Sequence, residues 1–430
     1  MKWQMADQTE TYVERIVTKE YEIERKGYAL LNAVTVYARN PAEPGCGRLL
    51  QWINRFGKSD SGEGILYRVS ENNGETWRDV GIFDLSYKLG HGQDVMRKIG
   101  GDCFYDETAG VLVRIGTEML WENNEILSLF KKRRMYYCLS FDNGSTWTDP
   151  IYICQNEPGY NRDRMFPGIT YGVNMVTSLF KVHQIRGDGP NKGKIAVGIQ
   201  VQMVDDSGGI YNPTGMGFFK SGCILGSWNP QKLQYDWEIC ETYAEVSPEE
   251  STRGVYEPVI QELDDGKLIM ILRGSNMNRH DAIPGTKFIS VSTDQGRTWS
   301  RPQRLTYDNG QLMYSSSSCP DLIKDRKGRL FFTGIITAQN PNGNLPRYPL
   351  CIARLNTDTL TIERDSVTVI DTRRSWHEIQ EKNKARYPVD FSNHHSYLDA
   401  KEHKIVVHAP FRPDLHQFES VINKYEIYLN

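Results

Sequence analysis

The sequence predicts an all-β chain folded as a six-bladed β-propeller, and two patterns carry that expectation. The first is a turn followed by a short apolar run. "GRLLQW" begins at Gly47, "GVLVRIG" at Gly110, "GKIAVGIQ" at Gly193, "GKLIMILR" at Gly266 and "GRLFFTG" at Gly328; "HKIVVHAP" begins at His403. The second is an octapeptide, Ser-x-Asp/Asn-x-Gly-x-Thr-Trp, at Ser70–Trp77, Ser140–Trp147 and Ser292–Trp299.

Each apolar run is rich in Val, Ile, Leu or Phe and follows turn-forming residues such as "DDG" or "DRKG", as the second strand of a β-hairpin does. The runs start 62 to 83 residues apart. A unit of that size can form a four-stranded antiparallel sheet. Alone it cannot bury both faces, so the units stack around an axis. Six units use nearly all of the 430 residues, so one propeller domain over 1–430 is expected. The competing arrangement is a β-sandwich with coincidental spacing. Two segments, 118–132 and 373–387, read as helical insertions between strands.

The octapeptides begin 23 to 30 residues after the Gly of an apolar hairpin, around the next turn of the same blade. Their Asp or Asn can accept backbone N–H bonds within the turn. Gly supplies a positive φ, and Trp is large enough to close the gap beside the sheet. These are structural fasteners at outer turns, so the chemistry must lie elsewhere.

Composition narrows the class. With 39% apolar and 11% aromatic residues the chain is no disordered segment. A net charge of −3 offers no basic surface for nucleic-acid phosphates. "FKKRRMYY" at 130–137 reads as a solvated loop. There is no apolar stretch of about 18 residues, so no membrane span is expected. The N-terminal segment also lacks the apolar core of a secretory leader. None of the eight cysteines forms a C-x-x-C pair, which argues against a zinc site or redox dithiol. Buried thiols in a reducing compartment fit them. The expected location is the cytoplasm, or the cell exterior if a leader was removed. No metal and no cofactor are expected.

Three such octapeptides on a six-unit β repeat resemble the Asp-box, or BNR, repeats of the sialidase superfamily. The resemblance covers almost the whole chain and implies a sialidase-like propeller acting on an oligosaccharide or glycan. It also implies site residues at the axial end of the inner strands. "EPVIQELDDGKLIMILR" runs from Glu257 to Arg273, with the spacing of a sialidase glutamate and arginine; the other reading is a cross-strand ion pair. "QWINRFGKSDSGEG" offers Asp60 as acid/base and Arg55 nearby, and "NGNLPRYPL" offers Arg347 as a later arginine. A solvated loop Asp is the rival for Asp60.

The chain departs from that family twice. "GYALLNAVTVY", where the first blade begins, has no arginine, so the three-arginine carboxylate clamp lacks a member; Arg55 or Arg97 could substitute. In "FSNHHSYLDA" His395 stands where the family carries a Tyr nucleophile. Tyr397 lies on the same strand face and His394 on the other. Tyr314 is the expected replacement phenol. His91, Arg97, Arg164, Arg253 and Tyr256 complete the axial positions.

The reading that follows is a glycoside hydrolase releasing a terminal acidic sugar. Asp60 would be the general acid. Glu257 would polarise Tyr314 or a water held by His395, and Arg273 and Arg347 would hold the sugar carboxylate. Two alternatives stand beside it. One is a polysaccharide lyase in which His395 or a tyrosine takes the proton beside a uronic carboxylate. The other is a catalytically inactive sugar-binding propeller.

Overall fold

The computed structural model describes residues 12–24, 29–39, 47–56, 62–90, 92–125, 132–178, 181–215, 217–374, 390–414 and 419–430. They form the expected six-bladed β-propeller. The first blade orders Ala29–Tyr37, Leu49–Phe56, Ile65–Ser70 and Arg78–Phe83 from the axis outward. The second uses Val95–Asp106, Val111–Trp121, Arg133–Ser140 and Ile151–Tyr152. In the third, the inner edge is split into Val176–Thr177 and Val182–Gln184, followed by Ile195–Gln202, Phe219–Asn229 and Gln234–Ile239.

The fourth blade orders Tyr256–Glu262, Leu268–Arg273, Lys287–Ser292 and Gln303–Arg304. The fifth uses Asp321–Lys324, Leu330–Ile335 and Leu350–Asn356, with Thr361–Ile362 and Thr368–Asp371 outside. The sixth takes His395–Leu398, Ile405–Asp414 and Glu419–Leu429 from the C-terminal end of the chain. Val13–Glu24 completes it, pairing antiparallel with Glu419–Leu429. N-terminal and C-terminal strands thus share one sheet, which closes the ring. All six apolar runs of the sequence are second strands.

Each gap between adjacent blades holds its own buried apolar cluster. Trp52, Tyr67 and Leu112 join the first and second blades, and Val113, Val197 and Trp237 the second and third. Leu225 and Met270 meet between the third and fourth, Ile271 and Phe332 between the fourth and fifth. Phe331, Val407 and Tyr425 fill the fifth gap; Tyr397, Val406 and Leu49 close the sixth. This is why the second strands read as unbroken apolar runs: both of their faces are buried.

The octapeptide turns lie between third and fourth strands and share one hydrogen-bond pattern. In the second, Gly144 N donates to Ser140 Oγ at 2.8 Å and Thr146 N to Asp142 Oδ1 at 2.8 Å. The third repeats this with Gly296, Ser292, Thr298 and Asp294, and the first with Gly74, Ser70, Thr76 and Asn72. Gly144 has φ +84, and a Cβ there would lie 2.5 Å from Leu50 and 2.7 Å from the Tyr67 hydroxyl.

These turns also reach the preceding blade. Tyr67 donates to Gly144 O at 2.6 Å, Cys223 Sγ lies 3.1 Å from Gly296 O, and Asn73 Nδ2 donates to Asp399 at 3.0 Å. Trp147 stacks edge-on against Trp52 at 5.5 Å. Their fastening is therefore between blades as well as within one.

The helix expected over 118–132 is not formed. Glu118–Trp121 completes the strand Val111–Trp121, and Glu122–Asn124 is one 3-10 turn; residues 126–131 lie outside the described set. Pairing with Arg133–Ser140 and burial of Met119 and Trp121 favour the extended chain. Of the other expected helix, 373–387, residues 375–387 lie outside the described residues. No helix among the described residues is long and apolar enough to cross a membrane.

Candidate active site

Strand register places the candidate residues at one end of the fourth blade. Tyr256 pairs with Arg273 and Arg273 with Lys287, while Glu262, Leu268 and Ser292 share the opposite end. The octapeptide turn follows Ser292, so it sits on the face away from Glu257. A register break between Tyr256 and Val259 turns Glu257 out of the ladder at φ +50. A non-glycine residue seldom adopts that conformation, and it concentrates at functional sites. Two contacts hold it there. Glu257 N donates to Gln200 Oε1 at 2.9 Å, and Pro258 packs against Gly198, where a Cβ would come within 2.9 Å of the Pro258 carbonyl oxygen.

Glu257 Oε2 accepts from Arg273 Nη1 at 2.6 Å. Arg273 Nε donates to Ser317 Oγ at 3.0 Å and Nη2 to Asn344 Oδ1 at 3.1 Å. Ser317 Oγ also lies 2.7 Å from the Tyr256 hydroxyl. The Tyr256 ring has two guanidinium groups over it, Arg273 and Arg253, each 4.8 Å from its centroid. Cys319 Sγ is 3.2 Å from Glu257 Oε2 and 3.5 Å from Asn393 Oδ1. Arg347 Nη1 donates to Asp390 Oδ2 and to Ser392 Oγ, both at 2.8 Å.

Burial pushes the Glu257 carboxyl up, but the Arg273 guanidinium more than offsets it and holds the group below its ordinary range. Burial, with Glu257 beside it, keeps the Cys319 thiol protonated. Three arginines therefore face two carboxylates, Glu257 and Asp390. Arg253 has ring contacts but no ion-pair partner among the described residues. The site carries an excess of positive charge and suits an anionic ligand.

A second polar cluster lies along the axis. His395 Nε2 is 3.5 Å from Asp102 Oδ1, and Asp102 Oδ2 accepts from Val182 N at 2.8 Å. Lys181 Nζ contacts Asp321 at 2.8 Å and Ser396 Oγ at 2.9 Å. The second, third, fifth and sixth blades each contribute to it. Both His395 ring nitrogens are buried without a hydrogen bond among the described residues.

These contacts sort the sequence candidates. Glu257, Arg273, Tyr256, Arg253 and Arg347 come together. His395 reaches the axis, but the carboxylate within ion-pair distance of it is Asp102, not Glu257. Tyr314 is half-buried and its hydroxyl makes no hydrogen bond among the described residues; the phenol bonded into the site is Tyr256. Asp60 and His91 lie outside the described residues. Arg55 is half-buried at the end of Leu49–Phe56.

Four candidates take other places. His394, a substrate-binding candidate on the opposite strand face from His395, is buried with Nδ1 at 3.1 Å from Phe391 O and Nε2 at 3.1 Å from Thr333 Oγ1. Tyr397 was expected beside His395 and instead packs in the apolar gap between the sixth and first blades. Successive positions of an inner strand point into the gaps on either side, so a face shared with His395 does not ensure a pocket position. Arg97 is buried, bonded to Glu63 at 2.5 Å and Asn124 at 2.7 Å. Arg164 is exposed, over the Tyr160 ring.

Searches against family models and against curated proteins return no match. Solved structures do match. A Dyadobacter fermentans protein of unknown function aligns at TM-score 0.58 and 14% identity, over 96% of this chain and 99% of its own. The leech intramolecular trans-sialidase aligns at 0.56 and 12%, over 93% and 68%. The Ruminococcus gnavus intramolecular trans-sialidase aligns at 0.54 and 12%, over 97% and 95%. The likeness is in fold.

Sequence reasoning missed Ser317, Asn344, Cys319, Lys287, Asp102, Lys181 and Asp321. The run "SSSSCP" at 315–320 was the visible signal for two of them. A cavity of about 340 Å³ between the second and third blades, lined by Tyr152, Tyr160 and Trp237 among others, holds none of the site residues.

Proposed function

We propose that this chain is a carbohydrate-active enzyme, a sialidase-like glycoside hydrolase releasing a terminal acidic sugar. The observation that carries the reading is the cationic end of the fourth blade. There an ionised Glu257 is held by Arg273, with Arg253 near it but in no ion pair among the described residues and Arg347 alongside. A sugar carboxylate would be taken by Arg253 and by the N–H groups that Arg273 and Arg347 have left. Glu257 would polarise the attacking group, a phenol or a water, and Asp60 would protonate the leaving oxygen. The Asp-box resemblance of the three octapeptides supports the same reading. So do the propeller neighbours, among them a trans-sialidase complexed with 2,7-anhydro-Neu5Ac.

A lyase acting at a uronic acid is the second reading. His395 favours it, being an axial imidazole 3.5 Å from Asp102, whose ring nitrogens make no hydrogen bond among the described residues, so that one is open to take a proton. The deciding experiment incubates the protein with acidic oligosaccharides and follows unsaturated-uronate absorbance together with released reducing sugar. Reducing sugar without absorbance supports the hydrolase. Absorbance overturns it in favour of the lyase, and binding without either product means a sugar-binding propeller.

A further inference from the structure

The candidate site hangs on one irregular segment, Ser315–Cys319. Ser317 meets Arg273 Nε at 3.0 Å and the Tyr256 hydroxyl at 2.7 Å. Cys319 meets Glu257 at 3.2 Å. The same segment is gripped from within the fourth blade. Lys287 Nζ donates to Ser316 O at 2.7 Å and to Ser318 Oγ at 3.2 Å. Ser316 and Ser318 thus bind the lysine, while Ser317 and Cys319 face the site.

Lys287 is 0% exposed and stands opposite Arg273 in register. No carboxylate lies within ion-pair distance of it among the described residues. A buried ammonium without a counter-charge is costly, and an apolar residue of similar volume would pack there at lower cost. Stability therefore gives no reason for a lysine at this position, whereas its two hydrogen bonds do.

We infer that Lys287 is a positioning residue for the candidate site: it fixes Ser315–Cys319 so that Ser317 meets Arg273 and Tyr256, and Cys319 meets Glu257. Which chemistry the site performs rests on the proposed function; that this lysine orders the segment does not. The charged and titratable groups around the amine are Arg273 on the next strand, Glu257 on the inner strand, and Cys319 and Arg347 from the adjoining loops. Burial first, then Arg273, brings the ammonium down to about 7. Its proton is therefore partly lost near neutrality, and the neutral amine donates weaker hydrogen bonds.

The test is hydrogen exchange on the full chain without ligand, comparing wild type, Lys287→Met and Lys287→Gln. In Lys287→Met the amides of 315–319 should exchange at least about tenfold faster, while Leu268–Arg273 and Leu330–Ile335 keep their protection. In wild type, protection of 315–319 relative to intrinsic rates should fall about three- to tenfold from about pH 6 to about pH 8.5. That dependence should be flat in both variants. Gln retains a donor, so Lys287→Gln should show intermediate protection. Unchanged exchange in 315–319 overturns the inference, as does an equal loss over the whole fourth blade. Should no acidic sugar be turned over while exchange behaves as described, the hydrolase reading fails and the role of Lys287 stands.

Discussion

Arg273 Nη1 donates to Glu257 Oε2 at 2.6 Å, across the hairpin that the two residues bracket. The same guanidinium reaches Ser317 and Asn344 through its other nitrogens. Lysine at this position would keep the charge and lose the fork. Arg273→Lys should lower kcat/KM on an acidic substrate about 100-fold or more, or about 2.7 kcal/mol of transition-state stabilisation. Full activity in Arg273→Lys would exclude a bidentate role.

The same pair predicts a pH dependence. The folded Glu257 carboxyl titrates below its ordinary 4.5. Its contribution to stability is therefore present above 4.5 and is lost as pH falls through the lower folded value. The stability difference between wild type and Glu257→Gln should shrink as pH drops from about 6 to about 3, as read by thermal or urea melts. A constant difference would mean that the pair is not ionised in the folded chain.

Trp147 and Trp299 join neighbouring blades at the face away from the site. Trp147 packs on Trp52 and Tyr67 of the first blade, and Trp299 lies with Leu225 and Leu268 between the third and fourth. Replacing buried Trp299 with Ala should cost about 3–5 kcal/mol, and replacing the partly buried Trp147 somewhat less. Activity per folded molecule should stay near wild type. A variant that stayed stable but lost activity would sink the fastening role.

What the sequence disclosed follows from what is local. Six second strands, buried on both faces, announce themselves as apolar runs. The octapeptides announce themselves because one turn geometry demands Ser, Gly and Thr at fixed offsets. Glu257 and Arg273 were legible for the same reason, since a single hairpin sets their spacing. Asp102 and His395 were not legible as a pair, because they meet only when the ring closes, from the second and sixth blades. Tyr397 shows the matching error. Alternation tells which residues share a face, but not whether that face looks into the axis or into a blade gap. Lys287 stayed hidden because a charged residue opening a strand reads as exposed.

His395 is the residue on which the readings divide. It begins the inner strand of the sixth blade, 3.5 Å from Asp102, whose other oxygen is fixed by Val182 N. That arrangement suits an imidazole oriented by a carboxylate. If His395 moves a proton during turnover, His395→Ala should lower kcat by about two to four orders of magnitude. Asp102→Asn should act in the same direction, and the double variant should be little worse than His395→Ala, because residues acting as a unit are not additive. His395→Tyr should not yield sialidase activity, since the strand Ala29–Tyr37 carries no arginine. If His395 only ties the second and sixth blades together, His395→Ala should lower the melting temperature and leave the activity of the folded fraction unchanged. Measuring Tm and turnover on the same preparation separates these outcomes, and unchanged turnover would remove His395 from the mechanism.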